Sequence, residues 1–177
     1  MNKIILKNGK SKKFGPLEVL GKNFYASFLG ILTIIFMENQ TTDNKKSKLL
    51  TGFACAINCM DGRVQDAVKN YIKENYGVDY VDMVTEPGPN KILADNLNLD
   101  KAVIENIKKR VEISVNHHGS KVVAIVGHFG CAGNPAEKEE QIKHLKRAKE
   151  VVKDFGFPVE IVLLWVDGDW KTVEKVV

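Results

Sequence analysis

From Leu49 onward the chain alternates between short unbroken apolar runs and stretches in which apolar residues recur at helical spacing. Thr51 to Asn58 (TGFACAIN) has the length and apolar continuity of a strand buried on both faces. Val64, Ala67, Val68, Tyr71 and Ile72 then mark one face of a helix, and Gly77 sits where a left-handed cap would end it. Tyr80 to Thr85 predicts a second strand, followed by Glu86-Pro87-Gly88-Pro89-Asn90, a loop that continues neither element. A second helix is expected from near Asp100 to His118, with Val103, Ile104, Ile107, Val111 and Val115 inward and Gly119 closing it. Lys121 to Gly127 (KVVAIVG) reads as the third strand. Asn134-Pro135-Ala136-Glu137 reads as a capping box with proline at the first helical position, opening a helix that turns Ile142, Leu145, Ala148, Val152 and Phe155 inward until Gly156. Val159 to Val166 (VEIVLLWV) is the fourth strand, and Lys171 to Val177 adds a short edge strand.

Strands joined by helices predict an α/β fold of three layers, with a central, mostly parallel sheet of four to five strands and helices on both faces. Ligands of such sheets bind beyond the carboxyl ends of the strands.

The first part of the chain does not share this pattern. A lysine-rich stretch leads into the apolar run Phe24 to Met37, 14 residues long. That is short of the roughly 20 needed to cross a bilayer, and no small-residue cleavage site comes after it. It reads as a leader outside the domain, with Met37 as the working start; a packed helix or a weak membrane contact through residues 24–37 are the alternatives. Thr41 to Lys48 is polar and reads as a linker. The expected organisation is therefore a leader and linker over 1–48 and one domain over 49–177.

Charge follows the same division. The net charge of +4 comes from residues 1–36, which hold Lys3, Lys7, Lys10, Lys12, Lys13 and Lys22 against Glu18. The remaining residues carry 20 basic and 21 acidic groups. The domain itself therefore gives little support to a nucleic-acid partner. Three cysteines without an export signal point to a reduced, cytoplasmic setting, where thiols bind metals, react or pack rather than pair.

Cys59-Met60-Asp61-Gly62-Arg63 falls just past the first strand, and His128-Phe129-Gly130-Cys131 just past the third. Parallel strands bring both loops to one sheet edge. Two thiolates and an imidazole are good zinc ligands, and three protein ligands leave one tetrahedral position open, as in catalytic sites. Cys59, His128 and Cys131 are therefore the candidate metal ligands, and Zn2+ the expected cofactor. Cys55 lies back inside the strand and reads as core. Buried thiols without a metal, or thiol redox chemistry by Cys59 and Cys131, are the competing readings.

The two motifs resemble the signature of the β-class carbonic anhydrases: Cys-x-Asp-x-Arg after the first strand and His-x-x-Cys after the third. The resemblance covers about Phe53 to the C-terminus. Val84 to Asn90 is similar to the family's glycine-containing loop, and Leu164-Trp165-Val166-Asp167-Gly168 to its last strand and turn. The resemblance implies reversible hydration of carbon dioxide to bicarbonate by a metal-bound hydroxide. It gives Asp61 the task of orienting that hydroxide and Arg63 the task of holding Asp61 with a planar two-pronged contact. In part of the family the aspartate swings onto the metal. Gly62 would leave room for the turn between Asp61 and Arg63. A homodimer or larger homo-oligomer is expected, because the family walls its pocket with a neighbouring subunit. Two departures stand out: the family's long N-terminal helical region is unrecognisable, and Thr85-Glu86-Pro87-Gly88-Pro89 replaces an arginine-bearing loop. Hydrolysis of carbonyl sulfide or carbon disulfide on the same metal, or a non-catalytic zinc-sensing module, are the alternatives.

Among the remaining residues, Asp61 also suits a helix cap. His117, His118 and His144 read as solvated, Trp165 and Trp170 as packing residues, and the lysines between Lys138 and Lys153 as a solvated helix face interleaved with glutamates.

Overall fold

The computed structural model describes residues 52–95 and 101–177; the expectations for 1–48, including Met37 and the 24–37 run, fall outside them. The described residues form five strands and four helices in the order β1 (Phe53–Cys59), α1 (Gly62–Tyr76), β2 (Tyr80–Glu86), α2 (Pro89–Asp95), α3 (Lys101–Asn116), β3 (Val122–His128), α4 (Lys138–Lys153), β4 (Glu160–Val166) and β5 (Val173–Val176). The sheet order is β2-β1-β3-β4-β5; the first four strands are parallel and β5 runs antiparallel to β4.

The two central strands are the most deeply buried because both of their faces are covered. Ala54 to Cys59 and Val123 to His128 are buried without interruption. One face of the sheet packs Cys55, Ile57, Val123, Ile125 and Leu163 against Leu93 of α2, Ile104, Ile107 and Val111 of α3, and Leu145, Ala148 and Val152 of α4. The other face carries small residues, Ala54, Ala56 and Ala124, beneath Val64, Val68 and Ile72 of α1. The chain thus winds from β1 to β2 across one face and returns from β2 to β3 across the other. The point of reversal lies between β1 and β3, where such sheets open a crevice at the carboxyl ends.

Several sequence expectations need correction. The loop 86–90 is shorter than expected, because Pro89 opens the unforeseen α2; proline suits a first helical position, where its missing N–H has no partner to lose. The capping box at residues 134–137 does not form. Helix α4 begins at Lys138 with Glu137 as its cap, and no side chain caps it. The Asn134 side chain instead turns inward to Asn90 and His144. Gly62 is not needed for room, since a Cβ there would meet nothing within 4 Å. Gly77 does end α1 in the left-handed conformation, at φ 63°, with its N–H on the Lys73 carbonyl. Among the described residues no helix is long and apolar enough to cross a membrane.

Candidate metal centre

Cys59 is the last residue of β1 and His128 the last of β3, so sheet pairing carries both to the crevice between these strands. The chain leaves β1 through a short, well-fastened turn. The Met60 N–H reaches the Glu86 carbonyl at 3.0 Å, and the Gln65 amide donates to the carbonyls of Cys59 and Asp61 at 2.6 and 2.9 Å. After β3, the Phe129 N–H extends the pairing to Val166, and Gly130, at φ 62°, turns the chain so that Cys131 comes back inward. The ligand atoms of Cys59, His128 and Cys131 all lie within 4.8 Å of one another, and all three residues are buried.

Three features of this group suit a cation. The two sulfurs stand 3.7 Å apart; two thiolates bound to one tetrahedral zinc at about 2.3 Å would be about 3.8 Å apart. His128 Nδ1 donates to the Phe129 carbonyl at 2.9 Å, since a carbonyl only accepts, and this leaves Nε2 as the ring's lone pair. That Nε2 is buried and has no hydrogen-bond partner. Finally, the two sulfurs perturb each other in opposite directions. Hydrogen bonding from Cys131 holds the Cys59 thiol far below its usual range, while the same contact, burial and the charge on Cys59 push Cys131 up. A positive ion between them would let both ionise. Cys55, by contrast, is pushed up to about 12 by burial and lies in the core, as its strand position suggested.

The loop after β2 closes the site by direct contact of backbones. A Cβ on Gly88 would stand 2.5 Å from the Gly133 carbonyl carbon, and one on Gly133 would collide with that of Pro87. Gly88 also has φ 63°, so glycine is required at both positions. The Arg110 guanidinium of α3 pairs with Glu86 at the base of this loop.

Asp61 and Arg63 form the planar contact expected of them. Arg63 Nε donates to both Asp61 oxygens at 3.0 and 3.1 Å, and Nη2 to Oδ2 at 2.5 Å. Asp61 also caps α1 by accepting the Arg63 N–H at 3.0 Å, so its structural and proposed chemical roles coexist. These bonds to Arg63 hold its carboxyl down at about 2.

Trp170 is a functional candidate that sequence reading missed. Its ring lies under the Arg63 guanidinium, 3.8 Å from Cζ to the ring centroid, and edge-on to His128 at 6.3 Å. Its backbone has φ 59°, an outlier for a bulky residue. The turn around it is held by Asp169, which accepts from the N–H groups of Lys171 and Thr172 and from the Thr172 hydroxyl. One further reading changes. His144 is buried at 6% exposure rather than solvated. His118 is exposed, as expected, and in addition pairs with Asp82 at 2.7 Å and lies tilted against the Phe53 ring. Trp165 is buried as expected, and Lys143 and Lys153 pair with Glu140 and Glu150 on the outer face of α4.

A family model described as "Putative carbonic anhydrase" matches residues 50–177. No curated protein matches the chain. Similar solved structures include the β-carbonic anhydrase isoform I of the protozoan Trichomonas vaginalis, at 16% identity over 82% of this chain and 97% of that one, with a TM-score of 0.40. They also include a carbonic anhydrase of Streptococcus mutans, at 15% identity over 89% and 100% with a TM-score of 0.40. One of two tetrameric β-carbonic anhydrases of the ascomycete Sordaria macrospora is similar at 13% identity over 86% and 94%, with a TM-score of 0.42.

Proposed function

Since the chain belongs to the β-class carbonic anhydrase family, we propose that it is a zinc lyase for the reversible hydration of carbon dioxide to bicarbonate, its metal held by Cys59, His128 and Cys131. The observation that carries the ligand assignment is the buried, unpartnered His128 Nε2 within 4.8 Å of two thiols. Zinc, when bound, supplies a Lewis acid that brings the ionisation of water down to about pH 7.

The chain's own residues do the rest. Asp61, kept ionised by Arg63, can only accept hydrogen bonds, so it would accept one from a water or hydroxide beside the three ligands and fix its orientation. Arg63 keeps that carboxylate in place through its two-pronged contact and also reaches the Gly130 carbonyl at 3.4 Å. The apolar side chains of Met60 and Phe129, both more than half exposed, flank the ligand loops. They suit a small apolar gas better than a charged substrate. We assign the working domain to 49–177, in a reducing cytoplasmic setting.

Metal analysis with a carbon dioxide hydration assay, on the full chain and on the form starting at Met37, tests this reading. One zinc per chain and turnover are expected, and Cys59→Ser, His128→Ala and Cys131→Ser should each lose most of the metal. Full zinc occupancy in all three variants would refute the ligand assignment. Zinc without carbon dioxide turnover would leave carbonyl sulfide, carbon disulfide or a non-catalytic role. A zinc-free protein that cycles Cys59 and Cys131 through a disulfide would be a redox protein.

A further inference from the structure

Gln141 is wholly buried on the inner face of α4, where the helical pattern calls for an apolar residue. An amide in such a place is costly unless its hydrogen bonds are met. Here its Nε2 lies 3.0 Å from the His128 carbonyl, 3.1 Å from that of Asn134 and 3.0 Å from that of Ala136. These three carbonyls bracket the segment that carries two of the three ligands. Strand β3 has already ended at His128, so past the Phe129 N–H no neighbouring strand fastens this loop.

Carbonyls only accept, so the Gln141 NH2 group must face them and its Oε1 must accept in turn. It does so from Asn90 Nδ2 at 3.1 Å. Asn90 Oδ1 then accepts from Asn134 Nδ2 at 3.2 Å and from the Lys91 N–H at 3.0 Å. Asn134 Nδ2 also lies 3.0 Å from His144 Nδ1. Every amide orientation in this row is thus set by the carbonyls at its head. The row presses directly on β3 one residue before the ligand, because a Cβ on Gly127 would stand 3.1 Å from Asn90 Nδ2 and 3.2 Å from Gln141 Oε1.

We propose that Gln141 is a positioning residue for the metal centre, its amide clamping the 128–136 loop so that His128 and Cys131 are set for a cation before one arrives. This rests on the reading of Cys59, His128 and Cys131 as metal ligands. Asn90 orients the clamp by donating to Gln141 Oε1.

The test compares zinc release to a chelator from the folded parent, Gln141→Leu, Gln141→Glu and Ile107→Ala, with the absorption spectrum of the cobalt-substituted forms as a second readout. Ile107→Ala empties part of the core beneath α3 and lowers stability while leaving the Gln141 hydrogen bonds in place. Both Gln141 variants should release zinc roughly 10- to 100-fold faster and shift the cobalt spectrum, while Ile107→Ala keeps parental release and spectrum. Release from Gln141→Leu at the parental rate, or no faster than from Ile107→Ala, overturns the clamp. If the Gln141 variants do not fold, Asn90→Asp decides. It sets an acceptor against Gln141 Oε1 while keeping one toward Asn134, and faster release is expected; parental release overturns the proposal. The parent's zinc content reads the ligand assignment separately. A parent that binds no zinc removes both that assignment and the clamp, whereas zinc-replete variants with unchanged release remove the clamp alone.

Discussion

Asp61 joins two demands in one side chain: it caps α1, and it presents an ionised carboxylate beside the candidate ligands. Asp61→Asn keeps the shape but introduces donors where only acceptors stood. A loss of roughly 10²-fold in turnover is expected, with zinc content near that of the parent. If zinc were lost together with turnover, Asp61 would be a ligand rather than an orienting group. The Cys59-to-Arg63 motif was legible in the sequence because its members are neighbours, and a five-residue turn leaves few ways to arrange them. Trp170 was not legible, because its partner Arg63 lies on a different element and only the tertiary fold brings them together. Its strained backbone supplies a second test. Trp170→Gly relieves the positive φ and removes the plate beneath Arg63 at once. Because Trp170 also packs on the core beneath α1, thermal stability should fall despite the relieved strain, and turnover should fall further than in the comparably destabilised Ile107→Ala, as measured by melting and by hydration assay. A loss of stability with unchanged turnover would mark Trp170 as packing alone.

At the level of elements, the strands and the two longest inner faces could be read directly from the sequence, since continuous apolar runs and helical spacing reflect burial. Helix α2 escaped because its seven residues make too short a period, and its opening proline looks like a loop signal. The false capping box at 134–137 failed for a different reason: Asn134 serves the buried amide row, and local chemistry cannot reveal a partner 44 residues earlier. His144 belongs to the same row. Burial lowers its pKa, opposed by Asp95 and Glu140 and assisted by Arg147 and Lys91. A histidine kept neutral in the folded state takes up its proton more readily when unfolded, so stability rises with pH through the window just below the ordinary value near 6.5. The stability that His144 supports is complete above that value and declines as pH falls toward the lowered folded one. Urea unfolding of the parent between pH 7.5 and 5 should show this slope, and His144→Gln should flatten it. An identical slope in both proteins would remove His144 from the account.

For the molecule as a whole, the sheet reverses its winding between β1 and β3, and the three candidate ligands stand at that reversal. The general position of the site followed from the sequence, because the carboxyl ends of parallel strands are where such sheets bind ligands. Its surroundings did not, since the wall of a pocket is assembled from distant elements and from neighbouring molecules. Met60 and Phe129 leave an apolar rim open beside the ligand loops. A second copy of the chain is expected to cover it, giving at least a dimer. Sedimentation of the full chain and of the form starting at Met37 checks this, and a monomer with full activity would exclude it.

The meeting of Cys59 and Cys131 also bears on how the protein holds together. The two are 72 residues apart along the chain, so a cation bound to both ties a long loop shut, much as a disulfide does. Unlike a disulfide, this tie is reversible, and its strength follows the concentration of free ion around the protein. If zinc is the ion held there, as proposed, a chain starved of it would lose a staple across its middle as well as its chemistry, and unfolding and proteolysis would become easier together.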